Sequence, residues 1–142
     1  MKTVRDILEA KGREVWSVEP GVTVFDALRL MAEKEIGALT VMDGERLVGI
    51  ISERDYARKV ILLGRSSPTT AVKEIMTSQV VCTRLNEPIE SCMALVTERR
   101  VRHLPVIEGE KIIGLISIGD LVKSIIDDQK FIIEQLERYI SS

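Results

Sequence analysis

Apolar residues in this chain follow two periods in alternation. Val24, Ala27, Leu28, Met31 and Ala32 fall at i, i+3, i+4, i+7 and i+8, the stripe of an amphipathic helix, with Thr23 as its cap. Residues 38–42 and 47–51 are instead nearly unbroken apolar runs of strand length on either side of Asp43-Gly44, a hairpin turn. The second run is too uniformly apolar for a strand with one wet face. Upstream, Thr3-x-x-Asp6 reads as a capping box for a short helix with Val4, Ile7 and Leu8 on one face, ended by Gly12. Residues 15–18 read as a short strand, stopped by Glu19-Pro20-Gly21. Downstream, Ser52-x-x-Asp55 opens a helix that carries Tyr56, Ala57, Val60, Ile61 and Leu63 to Gly64. The order is helix, strand, helix, strand, strand, helix.

The same order then restarts. Gly49, Ser52 and Asp55 recur as Gly114, Ser117 and Asp120 at a constant offset of 65 positions. Val72, Ile75 and Met76 echo Val4, Ile7 and Leu8, and residues 80–83 echo the first strand. Pro88 fits the first turn of a helix bearing Ile89, Cys92, Met93 and Val96, and a hairpin returns around Glu108-Gly109. The division is a first repeat at 3–64, a polar, proline-containing linker at 65–71, a second repeat at 72–126 and a C-terminal extension at 127–142. One small three-stranded sheet cannot easily bury both its faces; two packed together can. The extension has no counterpart in the first repeat. From Ile118 the apolar positions, running from Leu121 and Val122 through Ile133 and Leu136 to Ile140, predict a long helix that overruns the second repeat and whose exposed stripe binds a partner or a second copy. The plainer alternative is an edge helix folded back on the body.

Composition narrows the function. A chain of 142 residues with 45% apolar content suits one folded unit with a proper core. A net charge of −2 offers no basic surface for nucleic acid or an anionic membrane. No apolar run approaches the roughly 20 residues that span a bilayer, and the N-terminus has no signal-peptide character, so a cytoplasmic protein is expected. Cys82 and Cys92 occupy apolar repeat positions without metal or redox spacing and read as inert core thiols. His103 is the one histidine, no nucleophile–base constellation is evident, and neither a Walker-type loop nor GxGxxG is present. The expectation is a protein that is not an enzyme and holds no metal.

The paired Ser-x-x-Asp motifs are what helix capping alone produces. Capping explains less well why each follows a Gly-apolar-apolar strand. A strand entering a helix N-terminus also leaves N–H donors for a phosphate or ribose, and the Asp can accept from a ribose diol. Both roles are expected together. Residues 16–18 and 80–81 are candidates to flank a planar base, and Arg102 and His103 to donate to phosphate.

These motifs carry a resemblance. The duplicated pattern, with Gly-Ile-Ile-Ser-Glu-Arg-Asp (49 to 55) and Gly-Leu-Ile-Ser-Ile-Gly-Asp (114 to 120) in register and residues 102–106 as a second-strand pattern, resembles a pair of cystathionine-β-synthase (CBS) domains, the Bateman module. The resemblance implies an α/β (α+β) fold, two repeats related by a pseudo-twofold axis, and two clefts that take adenosyl ligands such as AMP, ADP, ATP, NAD(H) or S-adenosylmethionine. Carried over by position, Asp55 and Asp120 each hold a ribose, with Ser52 and Ser117 beside it. The Asp120 cleft takes Trp16, Ile36 and Gly37 against the base and Arg102 and His103 toward phosphate. The other takes Val81 and Val101, with Arg54 toward phosphate. Two departures make the clefts unequal: Gly37-Ala38 stands where the second repeat has Arg102-His103, and Ile118-Gly119 replaces Glu53-Arg54. The reading is a stand-alone regulatory module, a homodimer without a catalytic cofactor, which senses an adenine nucleotide for a protein partner that the sequence does not name. The alternative is a ligand-free dimeric scaffold that acts through its C-terminal helix.

Overall fold

Local capping chemistry starts the helices where the pattern places them. The computed structural model describes residues 2–141. Ahead of α1 (Val4–Lys11), the Thr3 N–H donates to Asp6 Oδ2 at 2.8 Å. Gly12 ends that helix at φ +97°, a backbone that favours glycine. After β1 (Ser17–Val18), Thr23 Oγ1 accepts from the Asp26 N–H at 3.1 Å to open α2 (Val24–Lys34). β2 (Ala38–Asp43) and β3 (Arg46–Ser52) form the expected hairpin. The second half contains α4 (Val72–Ile75), α5 (Ile89–Arg99), the hairpin β4 (His103–Glu108) and β5 (Lys111–Ser117), and α6 (Ile118–Ser141). Pro88 occupies the N-cap of α5 rather than its first turn.

Two elements depart from the expected pattern. The helix after Ser52 is α-helical only as α3 (Glu53–Tyr56) and then widens into a π-helical turn at Ala57–Ile61. This turn keeps Val60 buried and leaves Ile61, Leu62 and Leu63 exposed. The second departure is in the sheets. The first has three strands in the order β1-β2-β3, with β1 parallel to β2, but the second has only β4 and β5. Its third strand is reduced to one parallel bridge, Thr83 to Val106. Proline explains the loss. In the first sheet the Thr40 N–H donates to the Trp16 carbonyl at 3.3 Å, and the position equivalent to Thr40 is Pro105, which has no N–H. Only the pair around Thr83 survives, whose N–H donates to the Pro105 carbonyl and whose carbonyl accepts from the Ile107 N–H, both at 2.9 Å.

The hydrophobic interior exchanges helices between the halves. Val4, Ile7 and Leu8 of α1 pack with Ile89, Leu104, Ile116 and Leu121 of the second half. Val72 and Ile75 of α4 pack with Val24, Leu39, Val41 and Ile51 of the first. Backbone hydrogen bonds tie each entering helix to its host: Val4 N–H to the Glu87 carbonyl at 3.0 Å, and Val72 N–H to the Val22 carbonyl at 2.8 Å. Glycine makes room at each contact. A Cβ on Gly114 would lie 2.8 Å from both Leu8 Cδ atoms, and one on Gly49 would lie 3.0 Å from the Thr77 carbonyl oxygen and closer still to Met76 Sδ. The glycine in each repeated motif is therefore a packing requirement of the exchanged helix.

α6 does not fold back over the body. Leu121 is its one fully buried residue among those described, and Val122, Ile126, Ile132, Ile133, Leu136 and Ile140 are exposed. Lys2 pairs with Asp128 at 3.3 Å, fastening the start of the chain to the middle of this helix.

Candidate ligand-binding clefts

The antiparallel hairpins decide which residues meet. Ser52 at the end of β3 pairs with Ala38 at the start of β2, so Gly37 lies beside the opening of α3 and its carbonyl accepts from the Glu53 N–H at 3.1 Å. The second half repeats this: Ser117 pairs with His103, and the Arg102 carbonyl accepts from the Ile118 N–H at 2.9 Å. In both motifs the capping box is complete. Asp55 Oδ2 accepts from the Ser52 N–H at 3.0 Å and Ser52 Oγ accepts from the Asp55 N–H at 3.2 Å. The corresponding distances for Ser117 and Asp120 are 2.8 and 3.1 Å. Capping is thus established at both motifs and leaves each carboxylate further acceptor capacity.

A cavity of about 590 Å³ opens at the Asp55 motif. Ile50, Val80, Val81 and Val101 supply an apolar lining, and Ser52, Arg54, Asp55, Thr77 and Gln79 a polar one. Arg54, Arg58, Lys59, Arg100 and Arg102 border it against only two carboxylates, Glu53 and Asp55. Lys59 is partly neutralised by Asp55 Oδ1 at 3.2 Å. The remaining cations repel one another: Arg58 foremost, then slight burial and Arg102, lower the Arg54 guanidinium from its ordinary pKa, and Asp55 only partly offsets this. A cleft with surplus positive charge beside a fixed carboxylate suits a ligand that joins a phosphate to a diol.

His103 stands between the two motifs. It borders the Asp55 cavity yet also feels Lys11 and Asp120. Burial, followed by repulsion from Lys11, pushes its pKa below the ordinary value, and attraction to Asp120 and Asp55 does not restore it.

The Asp120 motif is engaged differently. Lys11, the last residue of α1, places its Nζ 2.7 Å from Asp120 Oδ2 and 2.9 Å from the Leu115 carbonyl oxygen, donating to both. Burial alone would raise the Asp120 carboxyl, but hydrogen bonds from Lys11 and the Ser117 N–H outweigh it and hold the group below its ordinary range. Gly37, Arg102 and His103, expected at the Asp120 cleft, also border the Asp55 cavity, while His103 pairs with Ser117 and the Arg102 carbonyl accepts from the Ile118 N–H beside the Asp120 motif. Trp16 and Ile36 do not border the cavity. Lys34 Nζ lies 4.0 Å from the Trp16 ring centroid, and Ile36 packs on the first core. Val81, Val101, Ser52 and Arg54 come together with Asp55 as expected; Ser117 and Asp120 stand apart with Lys11.

Sequence reasoning missed Arg58, Lys59, Arg100 and Gln79. The first two had a signal, lying three and four residues after Asp55 on the same helical face. Arg100 adopts a left-handed backbone at φ +56°, as Glu35 does in the first half at φ +54°. Burial raises the thiol pKa of both Cys82 and Cys92, which favours the unreactive protonated form. Among the described residues no group of three or more His, Cys, Asp or Glu is placed to hold a metal, and no helix is long and apolar enough to cross a membrane.

Two repeats of similar element order, with exchanged leading helices and a capped Ser-x-x-Asp at each strand-to-helix junction, define a tandem domain pair. The chain belongs to the CBS domain family, which matches residues 4–62 and 72–127. It is 36% identical to the CBS domain-containing protein CBSX3, mitochondrial, of Arabidopsis thaliana, over 97% of this chain and 71% of that protein. The structure of a protein with CBS domains from Burkholderia ambifaria MC40-6 superposes with a TM-score of 0.87 at 56% identity, covering 90% of this chain and 96% of that one. The CBS domain pair of protein MJ0100, solved with 5′-methylthioadenosine and S-adenosyl-L-methionine, shares the fold at a TM-score of 0.80 and 21% identity, over 90% of this chain and 98% of that one.

Proposed function

We propose that this chain is a regulatory module that binds a phosphate-bearing adenosyl ligand, AMP, ADP, ATP or NAD(H), in the cleft at Asp55. The observation that carries the reading is the junction of a capped, partly buried carboxylate with a cation-rich cavity of about 590 Å³. That volume lies in the ordinary range for small-molecule sites, roughly 300–1,000 Å³. Asp55 would accept from the ribose diol, Val81 and Val101 would flank the adenine, and Arg54, Arg58 and Arg102 would meet the phosphates. Adenosyl ligands in the MJ0100 pair support the ligand class. The surplus cations here favour phosphate over the positively charged sulfonium of S-adenosylmethionine.

Thermal unfolding of nucleotide-stripped protein with AMP, ADP, ATP, NAD, NADH and S-adenosylmethionine tests this. A ligand at about 100 times its dissociation constant adds roughly 2.7 kcal/mol, a shift of several degrees in a chain of this size. The shift should vanish in Asp55→Ala. No shift with any of the six, in protein shown to be folded, overturns the reading and leaves the scaffold function.

The same chain is proposed to dimerise through α6. Val122, Ile126, Gln129, Ile133, Leu136 and Ile140 recur in alternating steps of four and three, the spacing of a coiled-coil seam with one polar member. All are exposed along a single uninterrupted helix. A self-complementary seam of this kind fits a second copy of the chain. Ligand binding would then be read by a protein partner through a change in repeat or dimer geometry, limited by the ligand's preference for one arrangement.

A further inference from the structure

We infer that the cleft at Asp55 is built for a chain of phosphates rather than a single one, and takes a nucleoside di- or triphosphate whose phosphates lie between two arginines from each half of the molecule. The inference rests on the nucleotide reading above and narrows it to the polyphosphates. Arg54 and Arg58 reach the cavity from the first half, on α3 and on the π-helical turn that follows it. Arg100 and Arg102 reach it from the second half, in the short connection between α5 and β4. None of the four has an ion pair among the described residues. Lys59, by contrast, is already held by Asp55 Oδ1 at 3.2 Å and by the Ile75 carbonyl oxygen at 2.9 Å. That leaves Glu53 as the one other carboxylate on the cavity wall.

A single phosphate carries about −1.5 to −2 charge near pH 7 and leaves half of this set unmatched. The set is also coupled across the boundary between the halves. Arg58, one turn along the same helical stretch, is the main cause that disfavours the Arg54 cation, and Arg102 of the other half adds to it. Position along the ligand orders the four. Arg54 adjoins Asp55 and Arg58 follows one turn later, on the helix whose carboxylate would hold the ribose, so these two would meet the phosphate attached to that ribose. Arg100 and Arg102 remain for the phosphates beyond it. Arg100 closes α5 in a left-handed backbone at φ +56°, at the turn that leads into β4. The offset of 65 positions carries Arg54, Arg58, Arg100 and Arg102 onto Gly119, Lys123, Glu35 and Gly37. The arginine set therefore belongs to the Asp55 cleft and is not a property of the repeat.

Isothermal titration of the nucleotide-free chain with AMP, ADP, ATP and inorganic tripolyphosphate, without divalent cations, decides this. Affinity should rise from AMP to ADP to ATP by roughly tenfold per phosphate at low salt, the value of one charge-assisted hydrogen bond. The steps should shrink at about 0.15 M salt, where screening acts within about 8 Å. Arg100→Gln and Arg102→Gln should each reduce the ATP-to-AMP affinity ratio by roughly tenfold, and Arg100→Lys should restore part of it. Tripolyphosphate should compete with ATP but bind more weakly, because it lacks the base and ribose. AMP binding as tightly as ATP, with both lost in Asp55→Ala, overturns the inference and leaves the nucleotide reading intact. A ratio unchanged in both Arg100→Gln and Arg102→Gln, in protein with a wild-type melting transition, overturns it as well. Tripolyphosphate binding as tightly as ATP, with no effect of Asp55→Ala, defeats the nucleotide reading and the inference with it. So does the absence of heat from any nucleotide added to the folded chain.

Discussion

Exchange of leading helices makes a quantitative claim about two residues 106 positions apart, Leu8 and Gly114. Leu8 is 1% exposed and lies in the second core. Truncation to Ala removes its isobutyl group from a site walled by Ile116, Leu121 and the β5 backbone, which should cost about 2–5 kcal/mol. Gly114→Ala drives a methyl to 2.8 Å from both Leu8 Cδ atoms, an overpacking cost of about 1–3 kcal/mol, offset in part by about 0.5–1 kcal/mol because Ala loses less backbone entropy than Gly. In the double variant the new methyl enters the space that Leu8 has left. The two costs should then fall short of additivity by about 0.5–3 kcal/mol, the coupling expected of residues in contact. Equilibrium urea unfolding at fixed protein concentration measures all four corners of the cycle; with m near 1–3 kcal/mol/M, Leu8→Ala alone should lower the midpoint by about 1–2 M. Leu8→Ala combined with Gly49→Ala is the control. Gly49 faces Met76 and Thr77 instead, so those two costs should add. Additivity to within about 0.3 kcal/mol for the Leu8–Gly114 pair would refute the exchange, since contacting residues cannot be that independent.

Further outcomes follow from the charges and from α6. The folded-state pKa of His103 lies below its ordinary value, so the unfolded chain binds the extra proton first. Its contribution to stability is complete above about pH 6.5 and is lost progressively as pH falls toward the folded pKa; denaturant midpoints between pH 7.5 and 5 should fall more steeply in wild type than in His103→Gln. Arg54→Gln and Arg58→Gln should each weaken nucleotide binding and flatten its dependence on salt, because each removes a cation from the cavity; an unchanged salt dependence would place the phosphates elsewhere. Ile133→Glu should convert a dimer to a monomer in sedimentation velocity, with its melting profile at high dilution kept, because Ile133 is 54% exposed in the single chain and its replacement disturbs only the seam. A sedimentation profile identical to wild type would remove α6 from the interface.

Much of this architecture was legible because local rules operate twice. Thr3, Thr23, Ser52 and Ser117 announce helix starts through short-range capping, and the strand runs around Asp43-Gly44 and Glu108-Gly109 announce hairpins. The failures came where a local signal met a long-range condition. Residues 80–83 carry the same apolar character as the first strand, yet pairing depends on an N–H supplied by the neighbouring strand, and Pro105 cannot supply it. The stretch after Tyr56 has helical spacing, but the widened turn at Ala57–Ile61 reflects the demand of burying Val60 against α2, α4 and the first sheet. Nothing within that stretch specifies it.

The candidate site follows the same division. Ser52 and Asp55 were legible because the repeat places them at fixed steps from a glycine, Arg54, Val81 and Val101 came from the resemblance to CBS domain pairs, and all five border one cavity. Lys11 was not recoverable, because a single lysine at the end of an amphipathic helix reads as a solvated residue unless the host of that helix is known. Once α1 is known to sit in the second half, its length decides the matter. A helix one turn shorter would end before Lys11; Asp55 instead takes its lysine from the helical stretch that follows it, with Lys59 Nζ 3.2 Å from Asp55 Oδ1. The two copies of one motif thus draw their lysines from different segments, one from an exchanged helix and one from the helix the motif itself opens. The capping boxes, alike in both halves, fix the helix starts; the cations that differ between the copies, Arg54 and Arg58, border the Asp55 cavity, where the proposed ligand would meet them.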